Sequence, residues 1–263
     1  MTLLLAILLG IIQGLTEFLP ISSSGHLAVF GAWLGLSEPD IQFDILIHLA
    51  TLFAICIVYR QDVVHLVKVP LKRDEPSITL LKWLILATLP AVVVGFSVKP
   101  HLESIHDNLY WVAAFLAMTG AVLLLGKRLP ESQTKTIQQL GFWSVVMIGC
   151  AQAFAIMPGI SRSGMTIMAG LLIGMKKEEA ARFSFLMAIP AIAGAGVLMA
   201  FDLELQSVHR HLLPYAAGFV FAFLTSLLAL KFLIHILKKD RFFLFGYYCL
   251  ALALVTVLVN ASN

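Results

Sequence analysis

The 263-residue chain is 60% hydrophobic and only 13% charged, with a mean hydropathy of +0.93, a balance that excludes an ordinary water-soluble domain. Its formal charge of +3 at pH 7 is scattered over short polar stretches without a polybasic block, so nucleic acid is not implied and the charge serves better to read membrane topology. Cys56, Cys150 and Cys249 lie far apart in apolar segments, with neither metal-ligand nor disulfide-framework spacing, and read as small core residues.

Met1-Thr2-Leu3 carries no basic region and no small-residue cleavage site follows, so the first apolar segment is expected to stay and to belong to the fold. A hydrocarbon core of ~30 Å takes about 20 residues of helix per crossing. Apolar length on that scale gives six spanning candidates: 43–59, 78–97, 109–126, 183–200, 213–235 and 242–259. The links 60–77 (Arg60, Lys68, Lys72, Arg73), 127–140 (Lys127, Arg128, Lys135), 176–182 (Lys176, Lys177, Arg182) and 236–241 (Lys238, Lys239, Arg241) are basic and read as cytoplasmic, whereas 37–42 and 201–212 suit the outside. Two basic links then bracket 141–175, which must enter and leave by one face and is expected to be re-entrant. By the same reasoning 1–36 dips in from the opposite face.

An internal repeat supports this division. Ile21-Ser22-Ser23-Ser24-Gly25 aligns with Ile160-Ser161-Arg162-Ser163-Gly164, 139 residues later, and the offset carries Gly31 to Gly170 and Gly35 to Gly174. Upstream, Gln13 and Pro20 find near-counterparts in Gln152 and Pro158 within a one-residue slip, and Phe43 and Phe183 each open a spanning segment. The expected fold is therefore one all-α polytopic membrane domain over 1–263, built from two repeats of inverted topology, about 1–126 and 141–259. Each is a re-entrant helical hairpin followed by three transmembrane helices, an architecture that puts its site where the broken helices meet. The glycine pairs read as small-xxx-small faces for helix packing.

The polar residues inside these hairpins carry the chemistry. Gln13 and Glu17 share one face of the first half-helix, Pro20 breaks it, and the serines start a second helix. A serine N-cap followed by free backbone N–H groups at a positive dipole end is an anion site. The second repeat does the same after Pro158-Gly159, with Ser161, Ser163 and Gly164 at the new N-terminus and the Arg162 guanidinium added for phosphate contact. Two such ends facing each other favour a polyanion such as a diphosphate. Glu17 and Arg162 are costly inside a membrane and need partners, and a bare ion pair between them explains neither the serines nor His26. Phosphate-ester chemistry needs a nucleophile, charge neutralisation and a proton donor. Ser23 can attack with His26 or Glu17 as base, while Arg162 and the half-helix amides stabilise charge. Glu17 beside a diphosphate is expected to bind a divalent cation, Mg²⁺ or Ca²⁺, or to be protonated. Asp44 and His48 share a helix face that either lines a cavity or packs.

Together 13-QGLTEFLPISSSGH-26 and 158-PGISRSGMT-166 closely resemble the two signature motifs of bacterial undecaprenyl-diphosphate phosphatases of the BacA/UppP type. Matching length and hydropathy extend the resemblance over essentially the whole chain. It implies a multi-pass enzyme of the bacterial inner membrane that hydrolyses undecaprenyl diphosphate to undecaprenyl phosphate, recycles the lipid carrier of peptidoglycan synthesis and confers bacitracin resistance. Its active site is expected to open to the periplasm. The resemblance also implies catalytic or phosphate-binding roles for Glu17, Ser23, His26 and Arg162, set among Gln13, Ser22, Ser24, Gly25, Ser161, Ser163, Gly164 and Thr166. Many members carry Glu where this chain has Gln13, so a single carboxylate stands here. Acid-phosphatase-like lipid phosphatases share the fragment 24-SGH-26 but not the remaining motifs. A prenyl-phosphate transporter or flippase would use the same anion site without a nucleophile, and the oligomeric state, a homodimer included, is not legible.

Overall fold

The computed structural model describes residues 1–36, 40–72, 74–129, 133–200 and 211–262. The remaining positions, which include 37–39 and 201–210 of the two links read as external and Arg73 of a basic one, lie outside the described residues. Among the described residues eleven α-helices follow one another: α1 (Leu3–Thr16), α2 (Ser23–Trp33), α3 (Ile41–Val58), α4 (Arg60–Lys72), α5 (Glu75–His106), α6 (Leu109–Leu124), α7 (Phe142–Phe154), α8 (Arg162–Leu172), α9 (Lys177–Ala200), α10 (Leu212–Lys238) and α11 (Leu244–Ser262). Among the described residues the sole β pairing is an isolated bridge between Lys135 and Met175.

Six of these helices are long and apolar enough to cross a membrane, at 41–58, 75–98, 109–128, 177–197, 212–238 and 244–262. They agree with the segments read from hydropathy, with shifted ends. Asp40 accepts from the Phe43 amide and begins α3 at Ile41. Glu178 and Glu179 fill the first turn of α9, complementing its dipole, so Phe183 sits inside the helix rather than opening it. Large apolar side chains such as Leu4, Phe53, Phe96, Leu228 and Leu254 stay exposed around the bundle, which is favourable only in lipid. The basic link at 60–77 departs from expectation by folding largely into α4.

The links read as cytoplasmic gather at one end. Arg182 pairs with Asp62 and Glu179, Lys177 pairs with Asp240, the Ile137 amide donates to Glu179, and Lys135 bridges to Met175. These contacts bring the link before α7 and the link after α8 together. At the opposite end Tyr215 donates to Asp40.

Close backbone contacts form at glycines, two of which, Gly10 and Gly149, stand at the 139-residue offset. Gly10 of α1 meets Gly218 of α10, and Gly149 of α7 meets the Ala87 backbone of α5. Gly120 and Gly246 face each other where α6 crosses α11, and a Cβ on either would stand within 2.8 Å of the other's carbonyl oxygen. Gly31/Gly35 and Gly170/Gly174 correct the packing expectation. Gly35 and Gly174 have φ of +72° and +92°, and the Leu36 and Met175 amides return to the Gly31 and Gly170 carbonyls, so each pair closes a helix C-terminus. Only Gly170 is also tightly packed, against Ala180.

Gly246→Leu should therefore force α6 and α11 apart and cost about 1–3 kcal/mol, whereas Gly141→Ala, where a Cβ meets nothing within 4 Å, should be nearly neutral. Thermal unfolding of the purified variants in detergent measures the difference.

Candidate active site

The two short pairs each break where the sequence places proline and serine. α1 ends at Thr16, before Pro20, with Glu17 as its C-cap, and Ser22 caps α2 at a left-handed φ of +70°. α7 ends at Phe154, Gly159 takes φ +101°, and Ser161 caps α8. The caps are the same device made twice. The Gly25 amide donates to Ser22 Oγ at 3.2 Å and the Gly164 amide to Ser161 Oγ at 3.1 Å. Ser24 and Ser163 lie 3.3 and 3.2 Å from those cap hydroxyls. Gly25 packs on Gly159, and Gly164 packs on Pro20, so each new helix start presses on the opposite break. The first-turn amides of Ser23, Ser24, Arg162 and Ser163 precede the helical ladder and are not taken by the caps, leaving donors for an anion.

Between the breaks lies one buried cluster. Arg162 Nη2 donates to Glu17 Oε1 at 2.7 Å, Ser23 Oγ donates to Glu17 Oε2 at 2.6 Å, and Gln13 Nε2 donates to the same oxygen at 3.0 Å. The Glu17 and Arg162 side chains are 7% and 15% exposed, too little for water to screen the pair. Ser163 donates to the Leu19 carbonyl at 3.2 Å, tying the second break to the first. Thr166 stands behind Arg162, donating to its carbonyl at 2.8 Å and bonded to Ser184 Oγ at 2.6 Å.

His26 is placed differently from the reading that made it a base beside Ser23. Its Nδ1 donates to the Ser22 carbonyl at 2.7 Å, and its Nε2 lies 2.8 Å from the Tyr248 hydroxyl. Because a carbonyl only accepts, Nδ1 carries a proton, and in the neutral form of the ring Nε2 then accepts from Tyr248. Both nitrogens are thus committed, with no bond to Ser23 or Glu17. The histidine nearest Glu17 is His48, with Nε2 4.0 Å from Oε2 and Nδ1 held by the Asp44 carbonyl at 2.7 Å.

Asp44 and His48 resolve toward the cavity alternative. With Ser24, Leu9, Leu27 and Phe43 they line a void of about 390 Å³ at the Asp40 end of the bundle. A smaller void of about 60 Å³, beside Lys177 and Asp240, does not reach the cluster. Sequence reasoning missed Tyr248 and Thr119 as neighbours of the site. It also left Gln152, the offset mate of Gln13, outside the candidate set; this side chain is buried and its amide makes no hydrogen bond among the described residues.

Breaking the pair from one side leaves a buried charge uncompensated, at a cost of about 3–5 kcal/mol. Arg162→Met should therefore lower thermal stability in detergent more than the double change Glu17→Gln/Arg162→Met, which removes both charges.

The geometry can be set beside known proteins. The family model described as bacitracin resistance protein BacA matches residues 6–255. An undecaprenyl-diphosphatase of Methanococcus vannielii is 40% identical over 251 residues, 95% of this chain and 98% of that protein. Proteins of the same name from Syntrophotalea carbinolica and Rhodopirellula baltica are 41% and 40% identical, covering 95% and 98% of both chains respectively. A match of this extent, spanning both broken helix pairs, makes the chain a member of the BacA family.

Proposed function

We propose that the protein hydrolyses undecaprenyl diphosphate to undecaprenyl phosphate and inorganic phosphate, recycling the lipid carrier of cell-wall synthesis and thereby conferring bacitracin resistance. One observation carries the reading: a carboxylate, a serine hydroxyl and a guanidinium are joined within hydrogen-bond distance between two capped helix starts, in a chain akin to proteins named undecaprenyl-diphosphatase.

In this reading the diphosphate takes the place Glu17 holds against Arg162. Its oxygens accept from the guanidinium and from the amides of Ser23, Ser24, Arg162 and Ser163, with Ser22, Gly25, Ser161 and Gly164 fixing those amides. Ser23 Oγ attacks the terminal phosphorus and its proton passes to Glu17 Oε2, which already accepts it. The P–O bond to the bridging oxygen breaks and undecaprenyl phosphate leaves; water then cleaves the phosphoserine and frees phosphate. Arg162 and the amides offset the charge that develops. Gln13 orients Glu17, Thr166 supports Arg162, and His26 with Tyr248 braces the Ser22 cap.

Among the described residues no group of three or more His, Cys, Asp or Glu is arranged to hold a metal ion. One carboxylate, Glu17, nevertheless fits the mode in which Mg²⁺ is held by one or two carboxylates together with substrate phosphates. Such a cation, Mg²⁺ or Ca²⁺, would supply charge neutralisation on the diphosphate.

The two broken pairs are read as re-entrant hairpins of an inverted repeat, the basic end as cytoplasmic, and the cavity end as the periplasmic entrance in the inner membrane. The recurrence of the serine caps at the 139-residue offset supports this.

Phosphate release from undecaprenyl diphosphate by detergent-purified protein tests the reading. Glu17→Ala and Arg162→Ala should each lower kcat/KM by about 100-fold or more, and His26→Ala by less, since it acts through Ser22. Lipid binding with no release by the wild type would point to a carrier instead. Chelation should abolish release and Mg²⁺ or Ca²⁺ restore it; release indifferent to chelators removes the cation.

A further inference from the structure

We propose that Thr119, in α6, is a positioning residue of the anion site, the group that fixes the 158–161 break so that Arg162 and the first amides of α8 face Glu17. The inference rests on the anion-site reading above. A threonine inside a helix commonly returns its hydroxyl to a carbonyl of its own preceding turn, and Thr16, Thr88, Thr225 and Thr256 do so here. Thr119 does not. Its hydroxyl donates to the Gly159 carbonyl at 3.0 Å and accepts from the Ser161 amide at 3.1 Å, and the side chain is 1% exposed.

One hydroxyl thus satisfies two backbone groups of the break, the Gly159 carbonyl and the Ser161 amide, which would otherwise lose this partner in a buried setting. The surroundings admit little else. A Cβ on Gly159 would lie 2.5 Å from the Val112 carbonyl oxygen and 2.8 Å from Phe115 Cβ, so the break is pressed directly onto α6. Ser161, once held, receives the Gly164 amide on its hydroxyl and the Met165 amide on its carbonyl. Arg162 is the next residue, so a rotation of the Ser161 peptide re-aims the guanidinium and the adjacent amides together.

The other break has a weaker version of the same contact. There the Pro20 carbonyl, at the 139-residue offset from Gly159, meets only the Cys249 thiol of α11, at 3.8 Å, and a thiol is a poor donor. The Arg162 side is therefore the firmly held one.

Thr119→Val keeps the shape and removes the hydroxyl, Thr119→Ser restores it, and Gly120→Ala perturbs the neighbouring α6–α11 crossing without touching the break. We expect Thr119→Val, which leaves both the Gly159 carbonyl and the Ser161 amide unpaired, to raise KM for undecaprenyl diphosphate by about tenfold or more. Thr119→Ser should stay within about twofold of wild type, and Gly120→Ala should lower the melting temperature while leaving KM unchanged. Hydrogen exchange read by mass spectrometry over 158–165 should speed up in Thr119→Val and not in Thr119→Ser. If the valine variant does not fold, Thr119→Ala read against Thr119→Ser carries the same comparison. A KM and an exchange rate unmoved by loss of the hydroxyl, or a defect that serine fails to repair, overturn the assignment. Faster exchange in Thr119→Val from a wild-type protein that releases no phosphate would refute the hydrolase and leave the clamp standing.

Discussion

The organising interaction is the ion pair between Glu17 and Arg162, 145 residues apart in sequence and 2.7 Å apart in space. Neither charge tolerates this setting alone, since a lone ion inside a bilayer or a protein interior keeps a desolvation cost that nothing offsets. Buried pairs of this kind are poor sources of stability compared with apolar packing. The other carboxylate oxygen accepts from Ser23 and Gln13, and what the pair supplies is register. It fixes the first break against the second, and the Ser163 bond to the Leu19 carbonyl works in the same direction.

Why two positive helix starts converge at all is the complementary question. Each carries unpaired amides and the positive end of a dipole, and bringing them together without an anion is unfavourable. Glu17 is the anion that makes the convergence tolerable in the resting protein. The close approach also requires residues without bulk: Gly25 against Gly159 and Gly164 against Pro20 leave no room for a side chain between the breaks. In the proposed reaction a substrate phosphate would compete with Glu17 for the Arg162 guanidinium, which would tie the stability of the resting pair to affinity for an anion.

Much of this is legible in the residues themselves. Apolar length places the six long helices because lipid demands it, and the basic links gather at one end of the bundle as their charge implied. The paired Ser-x-Ser-Gly motifs locate both caps, since serine capping is a local property of the chain. Contacts arranged by tertiary packing are a different matter. Nothing in the pattern around Thr119 distinguishes it from a threonine bonded to its own helix, and nothing around His26 reveals that Tyr248, 222 residues on, takes its Nε2. The glycine pairs misled for a related reason: glycine spaced at four fits both close helix approach and a left-handed C-cap, and only the backbone torsions separate them. The helix α4 went unread because a basic link offers charge to topology without any apolar length to mark a helix.

The two breaks also differ where it matters. Cap serine, following serine and glycine are common to both, so the scaffold that presents an anion site is made twice by one motif. At the position between the two serines the chain has Ser23 in the first copy and Arg162 in the second. Facing each other across the shared carboxylate, one is a hydroxyl with an acceptor for its proton and the other a cation that donates hydrogen bonds but does not deprotonate. A symmetric pair of serines would bind weakly and a symmetric pair of arginines would have no nucleophile, so the chemistry of the proposed reaction comes from the one residue at which the repeated cap differs.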